Sequence, residues 1–272
     1  MADITAKLVN ELRNKTGLGM MECKKALTET GGDVEKAVEY FRKKGVKTSI
    51  TERAATEGRV TALVSPDRKR GVLVEINCNT DFTAKSDPVA KIAQAAAERL
   101  MANPSAKLAD DAGIKTELVN VSQQTGENVQ LGRSASLSTT AGTIGSYLYT
   151  VAGKGKIGVL VSIIGPVDED LVRNLSMHIV AARPLAHTRE ELSAELIAKE
   201  KEIAIEQAKS SGKPQNIAEK IAEGKMNSFY AEKVLLDQEF INAEVHKGSV
   251  TSLLKAKGAT LEKYVRLEVG QQ

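Results

Sequence analysis

Apolar positions near the start of the chain recur at helical spacing. Ile4, Leu8, Val9 and Leu12 fall on one stripe, which predicts a helix with one buried face. Thr16-Gly17-Leu18-Gly19 interrupts it. A second helix is expected from Met20 to about Glu29, with Met21, Cys23, Ala26 and Leu27 as its apolar positions. Thr30-Gly31-Gly32 ends that segment, and Asp33 is placed to cap the next. There Val34, Ala37, Val38 and Phe41 repeat at i, i+3, i+4 and i+7. Gly45 stands where a C-cap belongs, after Arg42-Lys43-Lys44. Three short helices make a small bundle with little core. Residues 46–57 are polar, carry no period and read as a linker. Met20-Met21 beside the Gly-rich turn either fill the bundle core or form a flexible thioether patch for a partner.

From residue 58 the pattern becomes strand-like and then repeats. Gly58-Arg59-Val60-Thr61-Ala62-Leu63-Val64, a polar turn and Gly71-Val72-Leu73-Val74-Glu75-Ile76 form one hairpin signal. Gly145-Ser146-Tyr147-Leu148-Tyr149-Thr150-Val151, the turn Gly153-Lys154-Gly155-Lys156 and Gly158-Val159-Leu160-Val161-Ser162-Ile163 form another. The offset is 87 residues at Gly58/Gly145 and at Gly71/Gly158, and Gly-Val-Leu-Val recurs letter for letter. A helix follows each hairpin. The first runs from Asp87-Pro88, with Asp87 as cap, to about Met101; the second runs from Asp168 or Asp170 to about Ala182. A third strand closes each copy, at 128–137 and at 264–269. The pattern predicts two related α+β subdomains, each a small antiparallel sheet covered by helices.

Roughly 80 residues separate the second copy's helix from its last strand, far more than one connection needs. Thr188-Arg189-Glu190-Glu191 has the form of a capping box. Leu192, Leu196, Ile203 and Ala204 give a narrow stripe, Ser210-Ser211-Gly212-Lys213-Pro214 breaks it, and Ile217, Ala218, Ile221 and Ala222 restart it. This predicts an antiparallel helical hairpin projecting from the body, either merely solvated or an arm for dimerisation or partner contact. Leu253-Leu254 and Gly258 mark a short helix before the final strand. The expected organisation is an N-terminal helical domain and linker over 1–54, a first core subdomain over 55–142 and a second over 143–272, with the helical hairpin at 188–230.

The copies differ after their second strands. The first continues as Asn77-Cys78-Asn79-Thr80-Asp81-Phe82, the second as Gly165-Pro166-Val167-Asp168 without the aromatic. Phe82 thus lies among polar residues between a strand and a helix start. It either folds back as a lid on the strand–helix core or stands out as an anchor for a partner's pocket, with Asp81 as its polar handle. A feature carried by one copy alone is not needed to build the subdomain, which favours the anchor.

Composition narrows the function. Aromatics are 3% of 272 residues, so Ala, Val, Leu and Ile must build the cores. The net charge of +3 is too small to argue for nucleic acid, although residues 1–54 hold all of that excess, with 11 Lys+Arg against 8 Asp+Glu. Cys23 and Cys78 stand apart from any second Cys or His at ligand spacing. That speaks against zinc or a disulfide framework and for a reducing compartment. With no leader pattern and no apolar run long enough to span a bilayer, a soluble cytoplasmic protein is expected. No Gly-x-x-x-x-Gly-Lys-Ser/Thr or Gly-x-Gly-x-x-Gly loop is present. His178, His187 and His246 are isolated, and His178 reads as a packing residue. Spacing assembles no catalytic set; neither enzyme activity, a cofactor nor a bound metal is expected.

Three motifs in order carry a resemblance. Leu8-Val9-x-Glu11-Leu12-Arg13 with Thr16-Gly17-x-Gly19-Met20-Met21-x-Cys23-Lys24-Lys25-Ala26-Leu27 is similar to the opening of the bacterial elongation factor Ts family. Asn77 to Phe82 resembles its central motif. Ser211-Gly212-Lys213-Pro214, Ile217-Ala218-Glu219-Lys220 and Glu223-Gly224-Lys225-Met226 resemble its helical arm. The resemblance implies a ubiquitin-associated-like N-terminal domain, a duplicated core and a coiled-coil arm. It implies guanine-nucleotide exchange on elongation factor Tu, in its GDP-bound and nucleotide-free forms. Thr80, Asp81, Phe82 and Thr83 would dislocate the partner's Mg²⁺, and Leu12, Met20 and Met21 would contact it through the N-terminal domain. Homodimerisation through the arm is among the uses that the helical pattern leaves open, and neither membrane nor direct nucleic-acid binding is expected. Where family members commonly carry a His, the second hairpin has Tyr147-Leu148-Tyr149, so no contact is carried over to Tyr149. Some members continue past the last strand with another helix, whereas this chain stops at Gln271-Gln272. The alternative from another class is an RNA-binding translation accessory protein, resting on the basic 42–47 stretch and a pI near 8.7.

Overall fold

The structure, a computed structural model, describes residues 4–44, 53–210 and 214–271. Gly45, residues 46–52 of the expected linker and Ser211-Gly212-Lys213 of the expected break lie outside those residues. Helices α1 (Ala6–Thr16), α2 (Met20–Glu29) and α3 (Val34–Lys43) form the N-terminal bundle. Local chemistry sets their ends. The Thr5 hydroxyl accepts from Leu8 N, Glu22 reaches back to Gly19 N, and the Asp33 carboxylate accepts from Lys36 N. Val9, Leu12, Cys23, Ala26, Leu27, Ala37 and Phe41 make the core.

Next come β1 (Glu57–Val64), β2 (Arg70–Cys78), the short α4 (Asp81–Lys85), α5 (Asp87–Ala102), α6 (Ala112–Thr125) and β3 (Gln130–Ser138). They are followed by β4 (Thr143–Val151), β5 (Lys154–Ile164), α7 (Glu169–Ala182), α8 (Ala194–Ser210), α9 (Gln215–Lys233), α10 (Val250–Ala256) and β6 (Thr260–Glu268). The strands form two antiparallel sheets, ordered β1-β2-β3 and β4-β5-β6. The class is α+β, and each hairpin takes its third strand from the segment the sequence pattern marks. The second hairpin turns on Ala152-Gly153, both in the left-handed region at φ 50° and 82°. That two-residue turn matches the twist of paired strands, so Lys154 already belongs to β5.

Helices cover one face of each sheet. Val72, Val74 and Ile76 of β2 meet Val89, Ile92, Ala96 and Leu100 of α5. Val159, Val161 and Ile163 of β5 meet Leu171, Leu175 and Ile179 of α7 and Leu253 and Leu254 of α10. The other two faces meet each other through Val60, Leu73, Leu137, Ile144, Leu160, Leu267 and Val269. The central strands are therefore buried on both sides, which is why each reads as an unbroken Gly-Val-Leu-Val rather than as an alternation. The two copies meet reciprocally. A Cβ on Gly71 would stand 2.9 Å from Leu160 Cδ2, and a Cβ on Gly158 would stand 2.9 Å from Leu73 Cδ2. Gly71 and Gly158 are one repeat apart, as are Leu73 and Leu160, so these are the same contact made twice, as across a two-fold interface.

Several expectations need correction. Ser86, not Asp87, precedes α5; Asp87 is its first residue, with Pro88 in the first turn. Asp168, rather than Asp170, caps α7 by accepting from Leu171 N. The Thr188 box does not start the arm, because Glu191 accepts from His187 N instead of capping a helix. The arm starts at Ala194, with the Ser193 hydroxyl accepting from Leu196 N. Its seam is made of Ala204, Ala208, Ala218, Ala222 and Met226, while Ile203 and Ile217 face out. Leu192 precedes the arm and packs at its base with Ala186 and Val234. Helix α6, capped by Asp111, has no counterpart among the expected elements.

The reciprocal contact gives a test. Gly71→Val and Gly158→Val should each lower the unfolding free energy by about 1–3 kcal/mol, the usual cost of overpacking a core. The two losses should be similar. Urea titration measures them, and wild-type stability for either variant would show that close sheet approach is not required.

Candidate functional site

The site grows from the end of the central strand β2. Cys78 is fully buried, its thiol donates to Thr80 O at 3.1 Å, and burial pushes its pKa up to about 11. Beyond it the chain leaves the core, and Asn79 and Thr80 are tied to residues distant in sequence. Asn79 donates its side-chain amide to Ala54 O at 2.9 Å and accepts from Asn128 N at 2.8 Å. Asn128 in turn donates to Arg53 O, so the segment leading in from the N-terminal bundle is pinned beside the same turn.

Glu127, at the end of α6, faces the turn directly. Its Oε2 accepts from Asn79 N at 3.1 Å and Thr80 N at 3.0 Å, and its Oε1 accepts from the Thr80 hydroxyl at 2.6 Å. The same hydroxyl accepts from Thr83 N and so caps α4. Burial disfavours charge on Glu127. Hydrogen bonds from the Thr80 and Thr83 side chains and the Thr80 and Asn79 backbones outweigh it and hold the pKa below the usual Glu value. Asp81 is also shifted down, chiefly by its hydrogen bond from Lys85 at 2.8 Å. Because both shifts are downward, their stabilisation is complete at neutral pH and is lost only as pH falls through the acid carboxylate range.

On this support stands Phe82, 80% exposed. The other phenylalanines, Phe41, Phe229 and Phe240, are buried or half-buried. The Lys85 ammonium lies 5.8 Å from the Phe82 ring centroid and covers one side of it. The ring does not close over the core; it sits on the second residue of a helical turn and points into solvent.

The structure divides the expected site residues. Thr80, Asp81 and Phe82 lie together at the surface. Thr83 is 7% exposed, and its backbone N–H donates to the Thr80 hydroxyl within the turn. Leu12 has no exposed surface and lies in the bundle core. Met20 and Met21, 53% and 77% exposed, open α2 as a thioether patch and do not fill the core. Sequence reading missed Glu127 and Asn128; the only local hint is a polar Glu-Asn pair just after Gly126, the left-handed end of α6. Tyr149 is exposed on β4 near its turn.

Elsewhere His178 and His246 are engaged by hydrogen bonds within the fold. His178 is buried, joined to Gln238 Oε1 at 3.0 Å, accepts from Ile241 N and stacks on Phe240. His246 pairs with the Ser252 hydroxyl at 2.6 Å. Among the described residues no three His, Cys, Asp or Glu side chains are grouped as a metal would need, and no helix is long and apolar enough to cross a membrane.

Comparison with known proteins adds a family. The family model described as Elongation factor TS matches residues 79–271. Elongation factor Ts of Methylococcus capsulatus is 43% identical over 281 residues, covering 98% of this chain and 92% of that protein. Elongation factor Ts of Hyphomonas neptunium is 43% identical over 284 residues, covering 100% and 93%. Elongation factor Ts of Prosthecochloris aestuarii is 38% identical over 288 residues, covering 99% and 100%.

An exposed ring held by its backbone contributes little to folding. Phe82→Ala should change the unfolding free energy by no more than about 0.5 kcal/mol, measured by thermal or urea unfolding. A large loss would mean that the ring packs against its own chain.

Proposed function

The chain belongs to the elongation factor Ts family, and from that premise we propose that it is a guanine-nucleotide exchange factor for elongation factor Tu in cytoplasmic translation elongation. It binds the GDP form, inserts the Asp81-Phe82 turn, dislocates the partner's Mg²⁺ and holds the nucleotide-free form until GTP enters. The observation that carries this reading is the Phe82 ring, 80% exposed on a turn whose backbone is tied at several points. An aromatic anchor presented in a fixed conformation pays little ordering entropy when it enters a pocket. Asp81 and the Thr80 edge flank it for polar contacts at the pocket mouth.

Burying one Phe contributes roughly 2–3 kcal/mol, and each 1.4 kcal/mol is about tenfold. The ring alone therefore supplies only part of a large acceleration. Met20 and Met21 on the N-terminal bundle and the second sheet's subdomain hold the partner while the turn acts. Linkage makes the effect reciprocal: the factor by which the chain weakens nucleotide binding is the factor by which nucleotide weakens the chain's grip. No covalent bond changes, so the chain needs no catalytic group. The arm, with Ile203 and Ile217 outward, is the surface we assign to a second copy of the chain.

The test is release of labelled GDP from elongation factor Tu. Phe82→Ala should slow stimulated release about thirty- to hundredfold, the equivalent of the lost burial. Stimulated release at the wild-type rate would reject the insertion mechanism.

A further inference from the structure

We propose that Glu127 is a positioning residue for exchange: its carboxylate, 47 residues from Thr80, builds the turn that aims Phe82. The inference rests on the exchange reading and adds a part to it. Helix α4 has only five residues, too few to persist in water without outside support. Its N-terminal N–H groups need acceptors: Thr83 N finds the Thr80 hydroxyl, and the N–H groups of the two residues leading into the helix, Asn79 and Thr80, find Glu127 Oε2. Both Glu127 oxygens are engaged by the motif: Asn79 N and Thr80 N on Oε2, the Thr80 hydroxyl on Oε1, and the Thr83 side chain as a further donor. The Thr80 hydroxyl relays the effect by giving its proton to Glu127 while accepting from Thr83 N. Phe82 therefore lies between residues that are all fastened, directly or through one hydroxyl, to this carboxylate. The Phe82 ring is 80% exposed, and beside it stands the Lys85 ammonium, which pairs with Asp81.

A carboxylate suits this position because all its neighbours are donors. An amide would keep its oxygen for the Asn79 and Thr80 N–H groups but set an NH₂ donor against the Thr80 hydroxyl, which then loses the charge-assisted acceptor that takes its proton. Glu127→Gln is nearly isosteric and leaves the sheets, α5 and the Met20-Met21 patch untouched. It should loosen the turn without removing the ring or the rest of the contact surface.

The experiment measures GDP release from elongation factor Tu over a range of concentrations of the full chain, as wild type, Glu127→Gln, Thr80→Val and Phe82→Ala. Charge-assisted hydrogen bonds of this kind correspond to about tenfold or more. Glu127→Gln should therefore lower the saturating rate by that factor and move the half-saturating concentration much less. Amide exchange should quicken at residues 79–83 and stay slow along β2, which general destabilisation would not produce. Thr80→Val should show the same split, and combining it with Glu127→Gln should cost little more. If Glu127→Gln fails to fold, Thr80→Val alone decides: the same split supports the assignment, and the wild-type rate overturns it. Glu127→Gln at the wild-type rate with Phe82→Ala slow would overturn the assignment and leave the exchange reading standing. Phe82→Ala at the wild-type rate would overturn insertion of the ring, and this inference with it, while exchange itself would still be observed.

Discussion

A helical turn of five residues has no stability of its own, and the functional reading of this chain depends on one such turn keeping its shape. What fixes it is a polar clamp on one side and a rigid strand on the other. The clamp is Glu127 with Asn79, Thr80 and Asn128. The strand is β2, whose last residue, Cys78, has no exposed surface. An apolar ring left in water gains nothing for the fold. It can be kept in one orientation only if its backbone is held by contacts that do not involve the ring.

The duplication explains the strand's rigidity. Each central strand is enclosed by helices on one face and by the other copy on the opposite face. Gly71 and Gly158 let Leu160 and Leu73 approach the backbone across that interface, so each copy braces the other through the same pair of residues. The second copy then goes from β5 through Gly165 into α7, with Gly165 tight against the backbone of Gly258. There the chain passes through exposed Gly165-Pro166 to the Asp168 cap of α7 with no helical turn between. One copy serves as support while the other also carries the turn.

Much of the fold was legible because its signals are local. The ends of α2, the Asp33 and Asp168 caps and both hairpins follow from spacing and turn residues a few positions apart. Phe82 stood out because the repeat supplied an internal control that lacks it. Contacts decided by tertiary packing were not legible. Glu127 reaches Thr80 across 47 residues, and no period links them. In the arm, close packing of two helices selects alanine, so Ala204, Ala208, Ala218 and Ala222 go inside and Ile203 and Ile217 turn out; a stripe read by hydrophobicity alone ranks them the other way. Leu12 is instructive in the opposite sense. Its place on the first helical stripe already assigned it to the core, and the resemblance drew it toward the surface against that pattern.

Exchange by insertion requires the Phe82 ring to leave its own chain and enter the nucleotide domain of a GTPase. The most direct measurement places a photo-crosslinking benzoylphenylalanine at position 82 of the full chain, irradiates it with GDP-bound elongation factor Tu and locates the crosslinked peptide. Crosslinks are expected within the partner's nucleotide-binding domain and should diminish as free GDP is raised, as reciprocity requires. Crosslinks confined to the chain's own residues, or to a part of the partner remote from its nucleotide, would contradict it.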